Sequence, residues 1–259
     1  MGARLAVRDV SLHFGGVKVL EDVTFTVEPG QIFGLVGPNG AGKTSLFNCV
    51  SGHYRPSAGS ITIDDDEVLG SAPATLARKG LARTFQHPAL QLRATVLENV
   101  LLGAHSRLPG GPVEWSLRLP RTGRSEKALR AEALDLLEAH GLGWAAKTRA
   151  DELSHGLHKG VEICRALLMK PRLLLLDEPA AGLPHAEVEQ LIETVRRVRD
   201  DDITVVIVEH NMGLISALTD RVVVLDHGRK LMEGSAAEAQ ADARVIEAYL
   251  GKDAVDDAA

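Results

Sequence analysis

A glycine-rich segment between an apolar run and a helical pattern is the part of this sequence with the clearest chemical meaning. Residues 32–36, IFGLV, are short and apolar enough for one buried strand, and residues 46–50 begin a helical pattern. Between them, GPNGAGKT at positions 37–44 fits G-x-x-x-x-G-K-[ST] with every fixed position filled. A strand, a glycine-rich loop and a helix in this order predict a phosphate-binding loop.

The residue types of this loop suit a nucleoside triphosphate. Glycines adopt backbone angles that other residues avoid, so successive N–H groups can turn towards one anion, and the following helix adds a positive field. Lys43 is expected to reach the β- and γ-phosphates, and the Thr44 hydroxyl to ligate Mg²⁺. The loop residues expected at the nucleotide are Gly37, Pro38, Asn39, Gly40, Ala41, Gly42, Lys43 and Thr44.

Two acidic residues after a later apolar run predict the hydrolytic side of the site. Four leucines at 173–176 are followed by Asp177 and Glu178. In phosphate-loop enzymes an acid at the end of a neighbouring buried strand holds Mg²⁺, and Asp177 is in that place. Glu178 would then accept a proton from water or polarise it, which indicates hydrolysis rather than transfer to a second substrate. The alternative is a pair that merely caps the next helix.

Two further polar residues follow strand-like segments. His210 ends the buried run VVIVEHN and could hydrogen-bond the γ-phosphate, although a lone histidine at a strand end is more often structural. Gln86 follows LARTF and could ligate Mg²⁺ or orient water, but by itself it is uninformative.

Composition limits the classes of function. The 259 residues carry a net charge of −6, which argues against attraction to nucleic acid or an anionic membrane. Cys49 and Cys164 lie in apolar helical patterns and indicate core positions in a reducing compartment. The first ten residues lead us to expect no signal peptide, and the sequence contains no run of about 18–20 apolar residues. We therefore expect a cytoplasmic chain that depends on another chain for any membrane part.

The order of elements predicts an α/β fold: a phosphate-loop NTPase core with an antiparallel β-layer and an inserted, mostly helical subdomain. We assign residues 1–89 and 166–250 to the core with its β-layer, 90–165 to the helical subdomain, and 251–259 to a short acidic tail.

Inside the predicted helical subdomain, residues 125–140 form the clearest amphipathic pattern. Ser125 is expected to cap this helix, and Leu129, Ala133, Leu136 and Leu137 to share one face. Residues 105–125, which contain three prolines and several arginines, predict a long surface excursion.

Five features resemble, in order and spacing, the ATPase subunits of ABC transporters over nearly the whole chain. They are residues 37–44, Gln86, Leu-Ser-His-Gly at 153–156, residues 173–178 and His210. The resemblance is closest to the ATPase subunits of branched-chain (hydrophobic) amino-acid importers. It is carried by the phrases FGGVKVLEDVTFTVEPGQIFGLVGPNGAGKT, TVLENVLLGAH, LLLLDEPAAGL and RVIEAYLG.

The resemblance implies a role for each matching residue. Phe14 would stack on adenine, the alternative being an ordinary core residue of the β-layer, and Ser45 would add a phosphate contact. Gln86 would contact the metal where the transmembrane subunit docks. Ser154 and Gly156 would grip the γ-phosphate held by a second ATPase subunit. The resemblance also makes Lys43 the phosphate-binding lysine, Thr44 a Mg²⁺ ligand, Glu178 the catalytic base and His210 the switch histidine.

The implied function is that of an ATP-binding and ATP-hydrolysing subunit of an importer for branched-chain or other hydrophobic amino acids. Such subunits sandwich two ATP molecules with Mg²⁺ in a dimer. Closure on ATP and opening after hydrolysis drive separate permease subunits and, indirectly, serve a solute-binding protein. The expected location is the inner face of the cell membrane.

The sequence departs from the family pattern on the face expected to meet the second subunit. The signature segment reads LSHGL where the family has LSGGQ or LxYGQ, so His155 and Leu157 are unusual. Gly160 stands at an often basic position, and Pro184 where Asp or Asn is common. A homodimer and a heterodimer with another ATPase chain therefore remain open.

Three other functions share parts of this pattern. An ATPase of a lipopolysaccharide-type exporter would use the same catalytic residues, but the 105–125 excursion favours the importer. A soluble ABC ATPase acting on nucleic acid or ribosomes usually carries two cassettes or long coiled coils. A phosphate-loop kinase is disfavoured by Glu178, Ser154 and His210 together.

Overall fold

The computed structural model describes residues 1–84, 90–104 and 120–250, with the backbone alone for 120–125 and 250. In chain order the elements are β1 (Leu5–Phe14), β2 (Val17–Val27), β3 (Ile32–Val36), α1 (Lys43–Val50), β4 (Ala58–Ile63), β5 (Asp66–Glu67), α2 (Pro73–Arg78), β6 (Leu81–Arg83), α3 (Val96–Leu102), α4 (Pro120–Ala139), α5 (His155–Leu167), β7 (Leu173–Asp177), α6 (His185–Asp200), β8 (Thr204–Val208), α7 (Met212–Leu218), β9 (Arg221–Asp226), β10 (Arg229–Gly234), α8 (Ala236–Ala241) and α9 (Ala243–Leu250).

The strands form two sheets. The order β2-β1-β4-β5 is antiparallel throughout and forms the predicted β-layer. The second sheet has the order β10-β9-β3-β8-β7-β6, in which β10 alone runs antiparallel to its neighbour. The central strands β3, β7 and β8 are buried at every residue, because a parallel sheet is covered on both faces. The predicted fold class is confirmed.

The register of the central strands places three chain segments at one edge of the sheet. Leu35 of β3 and Asp177 of β7 both lie opposite Val208 of β8. The carboxyl ends of these strands are therefore level, and the segments that follow them emerge side by side. Ligands of open parallel sheets bind at this edge.

Alternate residues of a strand enter opposite hydrophobic clusters, as the pleat of a strand requires. Leu173 and Leu175 pack between the sheets, while Leu174 and Leu176 pack against the helices on the other face. A third cluster joins α3, α4 and α5. The division into a core and a helical subdomain at residues 90 and 165 stays a prediction.

The helix predicted at 125–140 is longer than expected. It begins at Pro120 and ends at Ala139, so Ser125 lies within it and the predicted cap is wrong. Proline suits the first turn of a helix, where its missing N–H has no partner to lose. Consequently the predicted excursion ends too late at residue 125, and its residues 105–119 lie outside the described ranges.

The buried face of this helix is confirmed. Leu129, Ala133 and Leu137 are buried in the third cluster, and Leu136 packs against it. Both cysteines are buried thiols, and burial raises the pKa of each to about 12. A short helix, α2, was not predicted.

A buried asparagine fixes the segment that leads into α3. The Asn99 side chain is fully buried and donates to the carbonyl oxygens of Gln91 and Thr95, each at 3.0 Å. Its Oδ1 accepts from the Gln91 N–H at 2.7 Å. These bonds satisfy the polar atoms of the buried Asn99 side chain and hold the segment against α3.

We expect Asn99→Ala to lower the free energy of unfolding by about 1–3 kcal/mol, because the hydrogen bonds to Gln91 and Thr95 are lost and the buried side chain leaves a space. Urea unfolding followed by circular dichroism measures the change. Leu102→Ala, on the same helix but 52% exposed, is the control and should change stability by less than about 0.5 kcal/mol. Equal midpoints for the two variants would contradict the assignment.

Candidate functional site

The loop between β3 and α1 has the backbone geometry that a phosphate-binding loop requires. Gly37 and Gly42 have φ of 147° and 99°. A Cβ at Gly37 would lie 2.2 Å from the carbonyl oxygen of Leu225, and one at Gly42 would lie 2.8 Å from Leu20 Cδ2. Both positions therefore exclude side chains, and the neighbouring strands press the loop into this shape.

Lys43 lies inside the loop. Its side chain is buried, and Nζ donates to the carbonyl oxygens of Gly37 at 2.7 Å and Pro38 at 2.9 Å. Desolvation lowers the pKa of Lys43, and the charge of Glu178 opposes that shift. Because the two carbonyls are neutral, they hold the ammonium in place without cancelling its charge.

The predicted loop residues and one predicted acid line a common cleft. Glu178 follows β7 and reaches this cleft of about 200 Å³ from the other side of β8. It has a left-handed backbone with φ of 43°, an unusual conformation for a residue other than glycine, and its N–H donates to Val208 at 2.9 Å. Such strain clusters at functional sites. The cleft is lined by Val19, Asn39, Gly40, Ala41, Gly42, Lys43, Thr44, Ser45 and Glu178.

Asp177, at the end of β7, is held by a buried arginine that sequence reasoning missed. Arg83 Nη2 lies 2.8 Å from Asp177 Oδ2, and both side chains are less than a tenth exposed. Arg83 Nη1 also donates to Asn48 Oδ1 at 2.7 Å and Ser51 Oγ at 2.6 Å, both on or next to α1. An arginine ending a short strand among buried residues was the available signal.

His210 follows β8, next to a buried acid for which the sequence predicted no role. Glu209 is fully buried and accepts from the N–H groups of Ala180 at 2.7 Å and His210 at 3.1 Å. It thus ties the segment after β7 to the segment after β8. The His210 side chain is 58% exposed and is not part of the cleft lining.

Ser154 and Gly156 lie at the start of α5, apart from the phosphate-loop cleft of the same chain. Ser154 Oγ accepts from the Leu157 N–H at 3.4 Å and donates to Glu187 Oε1 at 3.0 Å. A Cβ at Gly156 would lie 2.2 Å from Glu187 Oε2. Within one chain, therefore, the signature segment contacts the start of α6 instead of the loop.

Helix α5 nevertheless contains a buried cation, Lys159, whose pKa is affected by the acids that follow β7 and β8. Lys159 is buried, and desolvation lowers its pKa, while the charges of Glu162, Asp177 and Glu209 act in the opposite direction. The signature helix is therefore electrostatically connected to the carboxylates at the ends of β7 and β8.

Of the two remaining predicted residues, the structure describes Phe14 but not Gln86. Phe14 ends β1 and is 49% exposed, so it is not a core residue of the β-layer. Its ring meets Tyr54 edge-on, with centroids 5.2 Å apart. Gln86 lies outside the described residues.

Comparison with known families decides the class of protein. The profile described as "ABC transporter" matches residues 20–181. The chain belongs to the ABC transporter family of ATP-binding cassettes. A second profile, "Branched-chain amino acid ATP-binding cassette transporter", matches residues 229–255. As a member of this ATPase family, the chain binds nucleotide.

Individual relatives of this ABC ATPase match nearly end to end. It is 36% identical over 249 residues to the high-affinity branched-chain amino acid transport ATP-binding protein BraF of Pseudomonas aeruginosa, covering 96% of this chain and 98% of that one. Identity and coverage are the same for LivG of Escherichia coli K12. The ADP conformation of MJ1267, an ATP-binding cassette of an ABC transporter, superposes with a TM-score of 0.85 at 29% identity, covering 97% of this chain and 100% of that one.

Within residues 1–84, 90–104 and 120–250, none of the helices combines the length and apolar character needed to cross a bilayer.

The pair formed by Arg83 and Asp177 can be tested without nucleotide. Arg83→Met should lower the free energy of unfolding by about 3–5 kcal/mol, because Asp177 would keep a buried charge without its cation. Adding Asp177→Asn should recover part of that loss. A double-mutant cycle from urea unfolding cancels the loss of the Asn48 and Ser51 bonds, which occurs in both backgrounds. Strictly additive effects would show that the two charges are not coupled.

Proposed function

We propose that this ABC ATPase is the ATP-hydrolysing subunit of an importer for branched-chain or other hydrophobic amino acids, and that it powers the conformational cycle of a separate permease. The observation that carries the catalytic part is the cleft that Glu178 shares with Lys43 and Thr44. The importer part rests on the match at residues 229–255 and on what the relatives are named to transport. These favour import over the exporter alternative.

Nucleotide binding follows from the loop. Residues 40–45, which include the start of α1, line the cleft, and free N–H groups of this stretch would bind the β- and γ-phosphates of ATP. Lys43 Nζ would leave the carbonyls of Gly37 and Pro38 and bind phosphate oxygens, because a charge-assisted bond to an anion is stronger than one to a neutral carbonyl. Phe14, exposed at the end of β1, would stack on adenine.

The donors at this edge of the sheet fit Mg²⁺. Thr44 offers a hydroxyl oxygen in the cleft, and Asp177 a carboxylate one residue before Glu178, and hard oxygen donors suit this ion. Arg83 binds Asp177 Oδ2 and so fixes the orientation of the carboxylate. Mg²⁺ would neutralise charge on the phosphates, and Gln86 is proposed as a further ligand.

Hydrolysis requires a base opposite the γ-phosphate. We assign this role to Glu178: it accepts a proton from water as the water oxygen bonds to the γ-phosphorus, while the bond to the β-phosphate oxygen breaks and ADP leaves with the electron pair. Lys43 and the loop N–H groups stabilise the charge that develops on the phosphate oxygens. His210 would hydrogen-bond the γ-phosphate and respond to its loss.

The signature segment implies a second ATPase subunit. Ser154 and Gly156 lie away from their own chain's cleft, so their proposed phosphate contact needs a nucleotide held by another subunit. That subunit is either a second copy or a related chain. Both are kept because the unusual residues His155, Leu157 and Pro184 belong to the segments expected to meet it. The permease, with a solute-binding protein beyond it, would place the dimer at the inner face of the cell membrane.

Glu178→Gln tests the base. The variant should bind MgATP as tightly as the wild type but hydrolyse it at least about 100-fold more slowly, because the amide cannot accept the proton. Phosphate release and a binding titration measure the two properties. Glu189→Gln, at an exposed position of α6, is the control. Unchanged turnover in Glu178→Gln would remove this residue from the mechanism.

Lys43→Ala tests the phosphate site. Loss of the buried ammonium should raise the dissociation constant for MgATP by more than about tenfold, since a bond to a charged group contributes about 1.5–3 kcal/mol. Isothermal titration calorimetry gives the constant, with exposed Lys147→Ala as the control. Retained affinity would count against the loop as the binding site.

A further inference from the structure

A tyrosine near the end of the described chain contacts the first residue of the phosphate loop. The Gly37 N–H donates to the Tyr249 hydroxyl at 2.8 Å, although 212 residues separate the two in sequence. Tyr249 belongs to α9, within the segment 229–255 and within the phrase RVIEAYLG. None of the roles proposed for the nucleotide site involves this helix.

The helix that carries Tyr249 is anchored at its start and by one buried side chain. The Asp242 carboxylate precedes α9, accepts the Arg244 N–H at 2.8 Å and pairs with the Arg244 guanidinium at 2.6 Å. Val245 is buried in the same cluster as Val36, which directly precedes Gly37. Tyr249 itself is 37% exposed, so its contact with Gly37 lies at the surface, on a helix anchored by Val245.

Gly37 is held at both of its polar groups by side chains. Tyr249 holds the N–H, and Lys43 Nζ holds the carbonyl oxygen at 2.7 Å. The close approach of the Leu225 carbonyl to Gly37 leaves no room for another residue type. Gly37 is therefore the point at which the strand ends and the loop geometry is set.

This inference rests on the proposed function, in which nucleotide binding breaks one of these two hydrogen bonds and leaves the other. When Lys43 turns to the phosphates, the Gly37 carbonyl loses the ammonium, whereas the Tyr249 hydroxyl keeps its place on the N–H. We propose that Tyr249 is a positioning residue for nucleotide binding, which holds Gly37 and hence the loop in its binding shape after Lys43 has left. The C-terminal helix is then a working part of the nucleotide site.

This role predicts an effect on affinity rather than on folding alone. If the hydroxyl contributed equally with and without nucleotide, its removal would leave the dissociation constant unchanged. Because it is the remaining side-chain hold on Gly37 in the bound state, its removal costs more there. One hydrogen bond corresponds to about a 3- to 10-fold change in an equilibrium constant.

Tyr249→Phe removes the hydroxyl and keeps the ring. We expect the dissociation constants of MgATP and MgADP to rise about 3- to 10-fold. The turnover rate at saturating MgATP should fall by a smaller factor than the affinity, because Glu178 and Asp177 are untouched and only the hold on the loop is lost. Titration calorimetry and steady-state phosphate release on the full-length chain separate the two. Glu247→Gln, exposed on the same helix, is the matched control and should bind as the wild type.

Two further measurements separate a local effect on the loop from a general loss of stability. Hydrogen exchange of a peptide spanning residues 33–44 should be faster in Tyr249→Phe with nucleotide bound, because the Gly37 amide has lost its acceptor. Asp242→Ala, which loosens the start of α9, should raise the MgATP dissociation constant in the same direction by a smaller factor.

The outcomes distinguish this inference from the proposed function. If the wild type and Glu247→Gln bind MgATP and Tyr249→Phe binds it equally well, the positioning role is rejected and the proposed function stands. The positioning role is likewise rejected if Tyr249→Phe lowers the melting temperature without altering affinity. If the wild type itself does not bind MgATP, the proposed function fails first.

Discussion

The structure depends on holding a buried cation, Lys43, within a glycine-rich loop. Such a loop is unfavourable by itself, because its polar groups are desolvated and its glycines take conformations that cost entropy. Contacts from other parts of the fold offset this unfavourable free energy. Leu20 and the Leu225 carbonyl confine the loop sterically, and Tyr249 holds the Gly37 N–H. The loop is therefore preorganised by strands and a helix that are remote in sequence.

A second group of contacts organises the acids at the same sheet edge. Arg83 connects Asp177 to α1, and Glu209 connects the segments that follow β7 and β8. Because β3, β8 and β7 are paired in level register, the segments that follow them are held next to one another. The phosphate loop and the acids Asp177 and Glu209 consequently lie at the same edge, although the chain reaches the acids more than 130 residues after the loop.

The sequence predicts those parts of the fold and the site that are locally encoded. The phosphate loop, the strand before it and the acids after four leucines follow from short patterns, and the structure places Glu178 in the loop's own cleft. Contacts between distant segments carry no such pattern. Arg83 meets Asp177 across 94 residues and Tyr249 meets Gly37 across 212, so neither pairing could be read from spacing. The start of α4 was misplaced for a different reason: a proline usually read as a break here opens the helix.

The buried charges indicate that this edge of the sheet serves binding and catalysis rather than stability. Lys43, Arg83, Lys159, Asp177 and Glu209 are all largely shielded from water. Replacing such groups by packed apolar residues is often neutral or stabilising, since desolvation offsets much of their attraction. Stability therefore does not explain their presence. Their presence is explained by a site that binds a highly charged triphosphate and then releases its products. Fixed charges that are shielded from water act on an anion without first having to reorganise.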